Sequence, residues 1–300
     1  MEEHKHLYDN YLIRPANSIM HDPFRLHIAN SNMFSDMFNL KRPIDVQEEF
    51  LKVYLQWIQS SQLNNFVGLE TFPYRYVSLG VTQALDDFIL FCVQQSKSIR
   101  IFKGEYPYAR EVINSNMNYI DDSPLTEGDA VIISAPFSAT GNMHPEWNKL
   151  INTCNDLKIP VFVDCAFFGT CMNINVSFDE PCIDTVAFSP TKGLNCGYFR
   201  TGMVVTRRQG SDTTLELLSN WHHGIHLHTA IALELMNKFS PDTIPKTYRT
   251  TQLTVCEEYG LEPTNTVHLG LGKEGWEHFT RDGICNRVGL RNAIYDCFRK

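Results

Sequence analysis

Between residues 75 and 206 the chain alternates short apolar runs with longer segments of helical period, and this alternation constrains its fold most. Strand-like runs occupy 75–79, 98–102, 117–120, 130–135, 159–163, 185–188 and 202–206. Between the first two, residues 82–95 place Ala84, Leu85, Phe88, Ile89, Phe91 and Cys92 on one helical face. Residues 144–157 do the same with Trp147, Leu150, Ile151 and Cys154. Strand–helix alternation predicts an α/β fold, a seven-stranded, mostly parallel sheet sandwiched by helices. In such sheets ligands gather at the carboxyl ends of the strands.

The flanks read differently. Residues 1–45 form an N-terminal arm, with short helical pieces over 10–33. Phe50, Leu51, Val53, Tyr54, Trp57 and Ile58 mark a helix over 46–58. Residues 62–74 read as loop. The aromatic stretch through Phe66, Phe72, Tyr74 and Tyr76 finds no partner in the expected sheet, so it reads as a subunit-interface patch. Beyond 210 the pattern gives helices at 213–219 and 229–239, the second broken by Pro241 and Pro245. A strand at 267–271, a short helix at 275–282, a strand at 287–290 and a helix at 292–298 follow. The expected division is an arm (1–45), a large domain (46–210) and a small α+β C-terminal domain (211–300) that the arm joins.

A formal charge of −8 and a pI near 5.8 argue against nucleic acid or an anionic membrane surface as partner. No apolar run approaches the roughly 18 residues of a membrane span. The charged start, Met1-Glu2-Glu3-His4, leads into no apolar signal core. Nine cysteines without a CxxC pair read as reduced thiols, so the expected compartment is the cytoplasm. His222, His223, His226 and His228 invite a metal reading, but Gly224 interrupts helical i,i+4 spacing and no carboxylate or cysteine lies close in sequence. The segment reads instead as a loop at a site mouth or an interface, and no metal site is expected.

Chemistry concentrates just after the strands. In Phe188-Ser189-Pro190-Thr191-Lys192 a lysine follows a serine by three residues and precedes Arg200 by eight. A desolvated lysine can hold a neutral amine, the form that reacts with carbonyls. Ser189 and Arg200 offer a hydroxyl and a planar cation to a phosphate. Asp164 closes the strand 159–163. Gly80-Val81-Thr82 opens a helix whose first N–H groups suit an anion. Ser138 and Thr140-Gly141 follow one strand, and Tyr106 another, where an aromatic can stack on a ring. Each of these alone also reads as a turn, a cap or a surface residue. Lysine, phosphate ligands and a strand-end carboxylate together suggest pyridoxal 5′-phosphate (PLP).

Over residues 75–206 the sequence resembles the fold-type I PLP-dependent enzymes, nearest in layout to the aspartate-aminotransferase-like class I/II group. The spacing Ser189-x-x-Lys192 with Arg200 and Gly202 beyond carries the resemblance. It implies Lys192 as the Schiff-base lysine and Ser189 and Arg200 as phosphate ligands. It implies Asp164 as the partner of the pyridine nitrogen, Val81 and Thr82 as the phosphate turn, and Tyr106 as the ring-stacking aromatic. Arg287, in Asn286-Arg287-Val288-Gly289, is similar to the arginine that grips a substrate α-carboxylate, with Arg291 as a rival. The chain departs from the family where an asparagine is replaced by Ser138 and a tyrosine by Phe167; both usually bond the ring 3′-oxygen. It is also shorter than typical members.

The resemblance implies a homodimer and an aminotransferase that passes an amino group from an amino acid to a keto acid. A PLP-dependent lyase, cyclase or other C–N bond-forming enzyme is the alternative, favoured by Phe167 and Ser138. A non-catalytic regulatory protein on the same fold is the third reading. Retention of Lys192, Asp164, Ser189 and Arg200 together counts against it.

Overall fold

The computed structural model describes residues 12–33, 35, 43–113, 117–209, 215, 216, 219 and 225–299. The expected helix at 213–219 lies mostly outside them, as do His222 and His223. The first helices are α1 (Asp22–Asn30) and α2 (Pro43–Gln59). Strands β1 (Asn65–Val67), β2 (Tyr74–Ser78), helix α3 (Val81–Gln94), β3 (Ser98–Ile101), helix α4 (Tyr108–Ile113) and β4 (Met117–Tyr119) follow. Next come β5 (Asp129–Ser134), α5 (Trp147–Asp156), β6 (Val161–Cys165), β7 (Asn175–Ser177), β8 (Ile183–Phe188), α6 (Pro190–Gly193) and β9 (Gly202–Thr206).

The large sheet has seven strands in the order β2-β9-β8-β6-β5-β3-β4. Its strands are the seven expected from sequence. All pairings are parallel except those of β9, which runs antiparallel to both β2 and β8. Strands β5, β6 and β9 are buried at every residue, which explains their unbroken apolar runs. Side chains alternate between two cores. Val131, Ile133, Val161 and Val163 face one core with Phe50, Tyr54 and Trp57 of α2 and Leu150 and Ile151 of α5. Ala130, Ile132 and Phe162 face the other, under Leu85, Phe88 and Cys92 of α3.

The C-terminal part adds α7 (His226–Lys238), α8 (Thr243–Tyr259), β10 (Glu262–Pro263), β11 (Leu269–Gly272), β12 (Thr280–Arg281), β13 (Cys285–Gly289) and α9 (Arg291–Arg299). The four strands pair antiparallel in the order β10-β11-β13-β12. The arm joins this sheet through an antiparallel bridge between Ile13 and Gly289. Among the described residues no helix is long and apolar enough to cross a membrane.

Five readings need correction. His226 and His228, expected in a loop, lie in the first turn of α7. Pro241 lies in the break after α7, but Pro245 sits inside α8, in the first turn, where its missing N–H has no intrahelical partner to lose. The expected loop at 62–74 contains β1, which pairs parallel with β7. The helix expected at 275–282 is a 3-10 turn, Glu277–Phe279, followed by β12. The aromatic stretch is not an exposed patch: Phe66, Phe72 and Tyr76 are buried within the chain. Phe66 packs edge-on to Phe168 with ring centroids 4.9 Å apart, and Tyr76 pairs with Val204 in β9.

Candidate active site

Because β9 alone is reversed, its start meets the carboxyl ends of β2, β3, β5, β6 and β8 along one rim of the sheet. A cavity of about 780 Å³ opens there. Val81, Thr82, Tyr106, Ser138, Asp164, Phe167, Ser189, Lys192, Arg200 and Arg287 all line it. Thr140 does not line it: its hydroxyl accepts the Asn142 N–H at 3.2 Å, while the Gly141 carbonyl accepts from Thr266.

One end is built for an anion. Gly80 caps α3 with φ of 99°, a left-handed conformation that favours glycine. A Cβ there would stand 3.2 Å from Arg200 Nη2 and 3.4 Å from Ser189 Oγ. The missing side chain therefore leaves a cradle between the helix start, the hydroxyl and the guanidinium. Arg200 is braced by donating from Nε to the Leu79 carbonyl at 3.1 Å and from Nη2 to Thr82 Oγ1 at 3.2 Å. Ser189 Oγ caps α6, accepting the Thr191 N–H at 3.3 Å and donating to the Thr201 carbonyl at 3.2 Å. Helix dipole, hydroxyl and cation converge as in a phosphate site.

The middle holds Lys192 and Asp164. Lys192 occupies the short helix that follows β8, and burial pulls its ammonium below the usual lysine range, with Asp164 opposing that and Arg287 and Arg200 adding to it. Gly193 lets this turn press against the Phe168–Gly169 backbone, since a Cβ would meet the Gly169 Cα at 2.9 Å. Lys192 Nζ lies 5.2 Å from the centre of the Phe167 ring. Burial pushes the Asp164 carboxyl up, while the Ala166 N–H, which it accepts at 2.7 Å, and Lys192 pull it down. Tyr106 stands at the cavity wall in a stack with Tyr108, centroids 6.1 Å apart and rings 9° from parallel.

The far end is cationic. Arg287 is buried, donating from Nη1 to the Ser138 carbonyl at 2.6 Å and from Nη2 to the Arg14 carbonyl at 3.3 Å. Its buried Nε has no hydrogen-bond partner among the described residues. Burial, then Arg281, lowers its pKa to about 9. Such a guanidinium is poised for a planar anion.

Glu105 was missed, although it follows β3 as Asp164 ends β6. Its buried carboxyl accepts the Tyr106 N–H and the Ser134 N–H, each at 2.7 Å, and the Ser134 hydroxyl. It thereby ties the Tyr106 loop to the end of β5. Burial raises its pKa from 4.5 to about 7. Folded protein therefore holds this proton more tightly than unfolded chain, so stability should fall as pH rises from about 4.5 through about 7. Urea denaturation across that range should show Glu105→Gln to have lost this part of the slope; an unchanged slope would assign it to other groups.

The arm was also missed as a site element. Asn195 accepts the His21 N–H at 2.8 Å and donates to Ser18 Oγ and the Ile19 carbonyl at 2.9 and 2.8 Å. These bonds seat Asn17 and Ser18 on the cavity beside Lys192. Sequence carries no signal for partners so far apart in the chain.

No protein-family model and no curated protein sequence matches the chain. Solved structures do. An aminotransferase from Mycobacterium tuberculosis superposes with a TM-score of 0.63 over 99% of this chain and 92% of its own, at 13% identity. Histidinol-phosphate aminotransferase from Sinorhizobium meliloti, in complex with pyridoxal-5′-phosphate, gives 0.63 over 95% and 89%, at 14% identity. A PLP-bound C–S lyase from Staphylococcus hominis, complexed with L-cycloserine, gives 0.66 over 97% and 87%, at 9% identity. The chain is thus an α/β protein with its cavity at the strand carboxyl ends. Its fold is that of the fold-type I PLP-dependent aminotransferases and lyases.

Proposed function

We propose that this is a PLP-dependent enzyme acting on amino acids, and that it is an aminotransferase delivering the amino group to a keto acid. One observation carries the reading: a desolvated amine at Lys192, a buried carboxylate at Asp164 and the Gly80 cradle share one cavity. The residues fit the cofactor. Val81, Thr82, Ser189 and Arg200 would hold its phosphate, Asp164 its pyridine nitrogen, and Tyr106 would cover its ring. Ser138 and Phe167 would flank its 3′-oxygen, and Lys192 would hold its carbonyl carbon.

Bound there, PLP supplies an electron sink for a bond broken at the substrate Cα. The chain supplies the rest. Burial draws the Lys192 ammonium below the usual lysine range, which favours the neutral amine that would take the Cα proton and return it elsewhere. Asp164 would hold a proton on the ring nitrogen through a charge-assisted hydrogen bond in a poorly solvated site. Arg287 would grip the α-carboxylate and so orient the Cα bonds for reaction. The homodimer and the cytoplasmic location belong to this reading on the resemblance and the reduced cysteines, since the buried aromatic stretch no longer argues for an interface.

Phe167 favours a second reading. It offers no hydrogen bond where the family's tyrosine does, and its ring sits beneath Lys192. A lyase or cyclase would follow if the proton were not redelivered. A half-reaction with a panel of amino acids separates the two. Accumulation of pyridoxamine phosphate is expected; product release with PLP retained would replace transamination by elimination or cyclisation.

A further inference from the structure

The phosphate cradle uses Arg200 and the α-carboxylate uses Arg287, yet three further arginines line the same cavity: Arg14, Arg281 and Arg291. Register explains their convergence. Arg281 of β12 pairs with Cys285 of β13, two residues before Arg287. Directly opposed and alternate residues share a face, so Arg281 and Arg287 are diagonal neighbours on one face of the small sheet. Ile13 bridges Gly289, which carries Arg14 to the same edge, and Arg291 begins the helix just after it.

These charges have little to neutralise them. Asp164 is the one carboxylate among the described residues lining the cavity. Nearby Glu105 is engaged by Ser134 and Tyr106. Asp282 accepts from Arg110 at 3.2 Å and from the Gly104 N–H at 2.9 Å. Among the described residues Arg14 donates only to a backbone carbonyl, that of Thr280, at 3.4 Å. The partly buried guanidinium of Arg281 has neither a hydrogen bond nor an ion pair among the described residues. Burial lowers its pKa, the nearby Asp282 carboxylate opposes that, and Arg14 adds to the lowering. Like charges gathered on one cavity wall are stabilised by an anion between them.

We propose that the substrate carries a second acidic group, carboxylate or phosphate, and that Arg14, Arg281 and Arg291 form its subsite at the cavity mouth. The proposal rests on the PLP reading for the placing of Arg287, but not for the arginine cluster itself. The test is calorimetric titration of the PLP-loaded protein with unreactive acids. Glutarate and 3-phosphonopropionate should bind about 10–100-fold more tightly than butyrate, the gain expected of a charged hydrogen-bonded pair. The tighter of the two names the second group. Arg281→Gln should lose most of that advantage while keeping butyrate affinity, and Arg281→Lys should recover part of it. Equal affinity for butyrate and the diacids, or an advantage untouched by both Arg281→Gln and Arg291→Gln, would overturn the proposal. PLP uptake is read separately from its absorbance. A protein that takes up no PLP overturns the cofactor reading, whereas a loaded protein indifferent to the second acid overturns only this one.

Discussion

Lys192→Ala is expected to abolish the covalent retention of PLP and to cut turnover by at least about 10²–10⁴-fold, the range set by loss of a positioned base alone. The side chain emerges from the short helix after β8, beside Asp164 and over Phe167. No other lysine lines the cavity among the described residues. Noncovalent PLP should still bind, because Gly80, Ser189 and Arg200 are untouched. Absorbance before and after borohydride, followed by denaturation, measures the retention. A variant that still carries PLP through denaturation after reduction would remove Lys192 from its assigned role.

Asp164→Ala should slow Cα–H cleavage by about 10–100-fold or more, since a hydrogen bond to a charged group is worth about 1.5–3 kcal/mol. The carboxylate is buried at the end of β6 on the cavity wall, where alanine offers nothing to accept the hydrogen bond. PLP content should stay near that of the unaltered protein. Deuterium exchange at the substrate Cα reads the step directly. Exchange as fast as before, at equal PLP content, would show that Asp164 does not support the ring nitrogen.

The parts legible in sequence are those fixed by local pattern. Fully buried strands such as β5 and β6 appear as unbroken apolar runs, and Ser189 and Lys192 fall within one turn. Arg200 is near them because the single reversed strand begins at the same rim, and its spacing from Lys192 betrays that. What stayed hidden depends on distant partners. Strand β1 is only three residues long and is defined by pairing with β7. Helix α8 contains a proline that reads as a break until its place in the first turn is known. Arg14 and Arg281 look like ordinary surface arginines until the Ile13 bridge and the β12–β13 register bring them to Arg287. The aromatic stretch misled because Phe66 and Tyr76 find their partners about a hundred residues away, in Phe168 and in β9.

The central claim is that the cavity at the strand ends is a PLP site with Lys192 as its amine. Incubating the protein with PLP, reducing with borohydride and mapping the digest by mass spectrometry tests it most directly. The account predicts one phosphopyridoxyl group per chain, on the peptide containing Lys192, lost in Lys192→Ala. No uptake of PLP, or label spread over surface lysines with Lys192 unmodified, would contradict it.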